Sequence, residues 1–463
     1  MAAFSTLNLA PALLESVAAQ GFDTMTPVQA QSLPPILAGR DVIAQAATGS
    51  GKTAAFGLGV LQALEIETAA VQTLVLCPTR ELADQVGQAI RMLATHVPNI
   101  KLLTLCGGVP MRPQLASLAH APHIVVGTPG RVLAHLKRAS LDCGRLRRLV
   151  LDEADRMLDM GFGEDIDAIV GRLPSERQTL LFSATWPDAI REVSRRLQRE
   201  PVEVTVAAAQ DRPAIAQSFY KVGANDKSEV LCALLSQGAT APDDHPRALV
   251  FCNTRAEVAR VAQLLSARGF DALALHGERD QRDRDEVLLR FINHSCAVLV
   301  ATDVAARGLD IAELPQVISY DIARDVDTHV HRIGRTGRAG ASGTAATLCT
   351  PGEAYRAERL AEELKTALSW QSPPKLEPVT PLTAPNRTLV IGGGRKDKLR
   401  PGDILGALTG EAGLDADVIG QISIQPTRSY VAIARGQAPS ALARLRDGRI
   451  KGRRFRAHEL RGD

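Results

Sequence analysis

Residues 46–53 read Ala46-Ala47-Thr48-Gly49-Ser50-Gly51-Lys52-Thr53, between the apolar run DVIAQA and the helical stretch AAFGLGVLQAL. No other feature constrains the fold as strongly. Small residues between a strand and a helix let successive backbone N–H groups wrap an anion at the helix N-terminus, and this strand–loop–helix unit belongs to parallel α/β sheets. Lys52 is placed to reach the outer phosphates of a nucleotide, and Thr53 to ligate Mg²⁺. Ala46 stands where the generic loop has Gly, a departure that the flanking pattern outweighs.

The surroundings agree. TLVLC (73–77), HIVVG (123–127), RLVLDE (148–153), TLLFSAT (179–185), ALVFC (248–252), AVLVAT (297–302) and QVISY (316–320) alternate with amphipathic stretches of helix length. Near-continuous apolar strands between helices imply parallel sheets covered on both faces. The segment Leu74 to Glu81 is echoed by Leu249 to Arg255, Leu105-Cys106-Gly107 by Leu275-His276-Gly277, and Ile124 to Thr128 by Val298 to Thr302, in the same order. The repeat predicts two α/β domains of one design, residues 1–207 and 208–370. The strand RLVL delivers Asp152-Glu153-Ala154-Asp155, carboxylates where a nucleotide-bound metal ion is held. Asp152 is the expected metal ligand beside Thr53, and Glu153 is placed to orient and deprotonate an attacking water.

Composition bears mainly on the tail. Five prolines crowd Gln371 to Pro385, so 371–386 reads as an extended linker. Residues 387–463 carry a net charge of +7 against −4 for the rest of the chain, which points to a polyanionic partner. Their pattern, strand–helix–strand–strand–helix–strand, fits an RRM-like α+β fold. The seven scattered cysteines, without a CxxC pair, read as buried free thiols of a reducing compartment. The N-terminus reads as an amphipathic helix with no signal peptide, and no apolar run approaches the ~20 residues of a membrane span. A cytoplasmic protein is expected, and a monomer by default.

The tetrad is also the signature of the DEAD-box helicases, and the chain resembles that family motif by motif. The resemblance implies two tandem RecA-like parallel-sheet domains, an ATP-binding and a helicase C-terminal one, followed by the RRM-like domain. Gly21-Phe22 and Thr26-Pro27-Val28-Gln29 are similar to its adenine-reading motif, with Gln29 pairing the adenine edge, Phe4 as the upstream aromatic and Met25 where Pro is common. Pro78-Thr79-Arg80-Glu81-Leu82, Gly107-Gly108 and Thr128-Pro129-Gly130-Arg131 resemble its RNA-backbone contacts; loop amides, hydroxyls and guanidinium groups without aromatics suit that role. Ser183-Ala184-Thr185 resembles the motif coupling hydrolysis to strand separation, through hydroxyl bonds to the tetrad. Arg255, Gln281 to Arg284, and Ala301-Thr302-Asp303 resemble RNA and interdomain motifs of the second half, and Asp310 is implied at the ATP ribose. In His331-Arg332-Ile333-Gly334-Arg335-Thr336-Gly337-Arg338, Arg335 and Arg338 are expected as arginine fingers.

RPGDILGALTGEAGL (400–414) and IKGRRFR (450–456) resemble the tail of the DbpA-type branch of that family. This implies an ATP-dependent enzyme that remodels 23S ribosomal RNA in ribosome assembly, targeted to a hairpin of it. An ordinary RRM stacks bases on sheet aromatics, and here only Tyr430 and Phe455 are available. Recognition is expected from Tyr430 with Lys451, Arg453, Arg454 and Arg456, against the plainer reading of a solvated basic strand end. Arg395, Lys396 and Lys398 read equally as linker charge. A DNA translocase on the same scaffold is disfavoured by the motif set, whereas an ATP-gated RNA clamp that unwinds little stays open.

Overall fold

The computed structural model describes residues 2–46, 49–186, 188–206, 215–237, 247–277, 280–306, 314–337, 343–364, 366–374, 380–410 and 413–460. The chain divides into two compact units, essentially residues 1–211 and 212–463.

The first unit is built on seven strands, β1 (Val42–Gln45), β2 (Thr73–Leu76), β3 (Leu102–Leu105), β4 (Ile124–Gly127), β5 (Arg148–Asp152), β6 (Gln178–Ser183) and β7 (Val202–Thr205). Their order is β3-β4-β2-β5-β6-β1-β7, every pairing parallel. Side chains alternate between two apolar layers. Val42, Ala44, Val75, Val150 and Phe182 enter one, and Ile43, Leu74, Leu76, Leu149 and Leu151 the other. Both layers are closed by helices, which is why these strands read as continuous apolar runs.

The second unit repeats the plan with β8 (Ala216–Lys221), β9 (Ala248–Phe251), β10 (Ala272–Leu275), β11 (Val298–Ala301), β12 (Gln316–Ser319), β13 (Thr344–Cys349) and β14 (Trp370–Gln371). The order is β10-β11-β9-β12-β13-β8-β14, again all parallel. The three echoed segments occupy equivalent places: β9 answers β2, β10 answers β3 and β11 answers β4. Both sheets have the RecA-like arrangement.

The same unit carries a four-stranded antiparallel sheet, β15 (Asn386–Ile391), β16 (Ile419–Ile424), β17 (Ser429–Ala434) and β18 (Ala457–Glu459), ordered β16-β17-β15-β18. Leu389, Ile391, Val431 and Ile433 pack against Ile404, Leu408, Ala441 and Leu445 of its two helices. The opposite face lies on the second α/β body. Asn293 Nδ2 donates to Thr388 Oγ1 at 2.9 Å, Thr388 bonds Ser295 at 2.9 Å, and Tyr430 donates to Glu286 Oε1 at 2.9 Å. The proline-rich segment expected as an extended linker is held at both of its described ends. Trp370–Gln371 forms β14, and Leu382 and Ala384 are buried, with Ala384 N donating to Asp271 at 2.8 Å. All seven cysteines are buried free thiols. No helix among the described residues is long and apolar enough to cross a membrane.

Candidate functional site

The phosphate loop leaves β1 and enters the helix Lys52–Gln62. Gly51 caps that helix at φ +94°, where a Cβ would lie 2.5 Å from Gln29 Nε2, so the position needs glycine. Gln29 fills the space: Nε2 donates to the Gly51 carbonyl at 3.2 Å, and Oε1 accepts the Thr26 amide at 2.8 Å. One side chain therefore ties the segment expected to read adenine to the loop expected to hold phosphate. Lys52 is buried, and its ammonium donates across the loop to the Ala46 carbonyl at 2.8 Å. Phe22 is 43% exposed, whereas Phe4 is 3% exposed, in the apolar cluster of Leu13, Val28 and Leu33. This corrects the expectation for Phe4: a ring enclosed on both sides supports the segment and has no open face for an adenine. Ala47, Thr48, Asp310 and Arg338 lie outside the described residues.

β5 ends on Asp152, and Glu153 turns sharply into left-handed backbone at φ 53°, ψ 52°. A non-glycine residue stays there only when its surroundings hold it. Asp152 is 3% exposed, and its Oδ1 has no hydrogen-bond partner. Burial raises its pKa to about 7, with Lys52 opposing the shift and Glu153 adding to it. An orphaned buried carboxylate oxygen is costly unless a cation completes it, so the residues present fit a divalent ion. Glu153 Oε2 lies 3.0 Å from Arg156 Nη1, both buried. The contact is ionic, since neither atom is aligned for a hydrogen bond.

Asp155 gathers the Ser183-Ala184-Thr185 turn. Its Oδ2 accepts from Ala184 N at 3.1 Å, Thr185 N at 2.9 Å and Thr185 Oγ1 at 2.9 Å, while Ser183 Oγ donates to the Thr185 carbonyl at 2.6 Å. Burial alone would raise the Asp155 pKa, but the Thr185 bonds outweigh it and the carboxyl is held below its usual value. A change at the tetrad thus reaches this turn through one carboxylate.

At the ends of β2, β3 and β4 the other first-unit motifs converge. Thr79 caps the helix Arg80–Leu93 through Leu82 N at 3.2 Å. Arg80 lies on the Gly107-Gly108 turn: a Cβ on Gly108, at φ +69°, would fall 1.7 Å from Arg80 Nη1. Pro78, Thr128 and Pro129 are buried, while Gly108 and Gly130 are exposed.

In the second unit Arg332 is a hub that motif reading passed over in favour of Arg335. It is 1% exposed; Nε and Nη2 grip the two Asp303 oxygens at 2.6 and 2.8 Å, and further bonds reach the Asp321 carbonyl at 2.6 Å and Asn253 Oδ1 at 2.8 Å. Asp303, expected among the RNA contacts, is corrected to an internal anchor. Both its oxygens serve Arg332, and a carboxylate turned to RNA phosphates would repel them. Arg335 is buried, and Thr302 Oγ1 caps its short helix through Ala305 N at 3.3 Å. Gln281 and Arg284 open the helix Gln281–Ile292, and Arg255 opens Arg255–Ala267.

In the tail, Tyr430 is 1% exposed and bonded to Glu286, so its ring offers no base platform; this too corrects the expectation. Lys451, Arg453, Arg454 and Arg456 are exposed. Lys451 Nζ donates to the Lys398 carbonyl at 3.1 Å, and Arg453 lies over Phe455 at 5.3 Å.

A phosphate loop, a strand-borne acid pair joined to a hydroxyl turn, and a second RecA-like sheet presenting buried arginines define a helicase-type nucleotide-hydrolysing motor. Comparison with known proteins narrows the class. Residues 26–193 match the DEAD/DEAH box helicase family, 226–340 the helicase conserved C-terminal domain, and 388–459 the DbpA RNA binding domain. The ATP-dependent RNA helicase DbpA of Escherichia coli (strain K12) is 51% identical over 462 residues, 100% of both chains. The DEAD-box ATP-dependent RNA helicase CshA of Geobacillus kaustophilus is 42% identical over 378 residues, 81% of this chain and 80% of that one. The solved structure of S. cerevisiae Dbp5 bound to RNA and ADP BeF3 superposes with a TM-score of 0.73 at 29% identity, covering 80% of this chain and 96% of that one. The chain belongs to the DEAD-box ATP-dependent RNA helicases. Within them it is of the DbpA type, an RNA-dependent ATPase with a DbpA RNA-binding domain at its C-terminal end.

Proposed function

We propose that this helicase remodels large-subunit (23S) ribosomal RNA during ribosome assembly and is targeted to a hairpin of that RNA by its tail. The observation that carries the reading is the tail itself: a domain of DbpA type with an exposed basic run, Lys451, Arg453, Arg454 and Arg456. With its sheet face buried, recognition falls to basic side chains and loops. In this reading residues 1–207 and 208–370 are the two helicase halves, 371–386 joins them to the tail, and 387–463 selects the RNA. The protein works as a cytoplasmic monomer.

ATP binds at Ala46 to Thr53 with Gln29 and Phe22 at the adenine and Asp310 at the ribose. Mg²⁺, held by Thr53 and Asp152, would neutralise charge between the outer phosphates. Glu153 orients the attacking water and takes its proton. Lys52, Arg335 and Arg338 balance charge on the transferred phosphoryl group. Pro78, Thr79, Arg80, Gly108, Thr128, Pro129, Gly130 and Arg131, with Arg255, Gln281, Arg284 and Thr302, hold RNA backbone without reading sequence. Ser183 and Thr185 carry the state of the acids to that surface through Asp155.

The test is RNA-stimulated ATPase with a ribosomal fragment containing the hairpin beside unrelated RNAs of equal length. The hairpin fragment should half-saturate at a concentration at least about tenfold lower, and equal stimulation would refute the targeting while sparing the helicase assignment.

A further inference from the structure

The helix Met111–Leu118 follows the Gly107-Gly108 turn, and its one buried residue is polar, Gln114. Every polar atom of that side chain is engaged with the surface just described. Nε2 donates to the Cys106 carbonyl at 3.0 Å. Oε1 accepts from Arg131 Nη1 at 2.6 Å and faces His135 Nε2 at 2.9 Å. Arg131 Nη1 also donates to the Val109 carbonyl at 2.9 Å. Cys106 and Val109 flank the two glycines, so the turn is pinned on both sides, at one end by Gln114 directly and at the other by the arginine that Gln114 holds.

A guanidinium has five N–H groups. The two on Arg131 Nη1 go to Val109 and Gln114, which leaves the Nε and Nη2 edge as the fork that could match a phosphate. Behind Gln114 stands His135, fully buried, with Nδ1 at 2.9 Å from Ser140 Oγ. Burial first, then Arg131 and Arg138, lower its pKa and so favour the neutral ring, whose Nε2 faces the glutamine oxygen.

We propose that Gln114 is a positioning residue for RNA binding: backed by His135 and Ser140, it locks Arg131 and the Gly107-Gly108 turn into one rigid grip for the RNA backbone. The inference rests on the reading of this face as an RNA-backbone surface. A residue that only filled the core would change stability, whereas a positioning residue acts through Arg131 and appears in the RNA dependence of turnover.

The experiment measures half-saturating RNA and maximal rate in ATPase assays of the full chain for Gln114→Met, Arg131→Met and the double variant, with Ser140→Ala as a milder probe. Gln114→Met keeps the volume and removes both the acceptor for Arg131 and the donor to the Cys106 carbonyl, so half-saturating RNA should rise about tenfold with the maximal rate moved less than about twofold. In the Arg131→Met background the same change should add no more than about twofold, the share of the Cys106 bond, because for the rest the two act as one unit. Ser140→Ala should shift half-saturation about twofold to threefold in the same direction, again only when Arg131 is present. Additive effects, or a shift with Arg131→Met and none with Gln114→Met and Ser140→Ala, overturn this inference alone. No shift with Arg131→Met overturns the RNA-surface reading and this inference with it.

Discussion

Two buried charged centres, one in each unit, are finished to different degrees. In the second unit Arg332 has four partner atoms on Asp303, Asp321 and Asn253, and the centre is complete within the chain. In the first unit Asp152 keeps an oxygen without a partner and a pKa raised to about 7 by burial, and Glu153 sits in left-handed backbone. A satisfied buried charge is architecture. An unsatisfied one marks where a ligand is to complete the site, because a fold that left it orphaned for no purpose would bear a cost of about 1–3 kcal/mol or more. The arginine hub therefore supports its neighbours Arg335 and Thr302, while the acids keep a position open for a ligand.

The sharpest way to break this contrast is to unmake the finished centre. Arg332→Leu leaves the Asp303 carboxylate without its bidentate partner, and urea unfolding should show a loss of about 3–5 kcal/mol. A loss under about 1 kcal/mol would mean that the hub is not structural.

His329, on the same helix as Arg332, tests the unit from the side of pH. It stacks on Phe219 at 6.0 Å and lies 3.1 Å from Gln217, and burial, then Arg332, lowers its pKa to about 4. The unfolded ring takes a proton below about 6.5, while the folded ring resists until about 4. Its contribution to stability is thus present above pH 6.5 and lost as pH falls toward 4. Unfolding midpoints of the unaltered chain and His329→Phe should converge on that side, their difference changing by about 2 kcal/mol in favour of the variant between pH 7.5 and 5. A difference independent of pH would contradict the assignment.

The smallest effect concerns the RNA face. Gly108→Ala places a methyl group against the Arg80 guanidinium in a backbone conformation that alanine disfavours. Half-saturating RNA should rise about tenfold in the ATPase assay, with the ATP dependence unchanged.

What could be read in the sequence was local. The phosphate loop, the tetrad, the two-sheet plan and the sequence of strands and helices in the tail are written in contiguous stretches. The Arg332 hub was not legible, because its partners lie 29, 11 and 79 residues away. Neither was the fate of Tyr430, whose Glu286 partner is 144 residues distant. Phe4 and Asp303 went wrong for the same reason: a motif names a residue but does not say which side of it the fold encloses. Gln114 had no local signal at all, since what distinguishes it is the company of Cys106, Arg131 and His135.

The central claim of the proposed function is that Glu153 of the first unit activates the attacking water, a step separate from the binding of RNA. Glu153→Gln keeps the shape and removes the base, so turnover at saturating RNA and its binding with ATP present should be measured on the same preparation. The account predicts turnover lower by at least about 100-fold with RNA retained in the presence of ATP; turnover within about tenfold of the unaltered enzyme would contradict it.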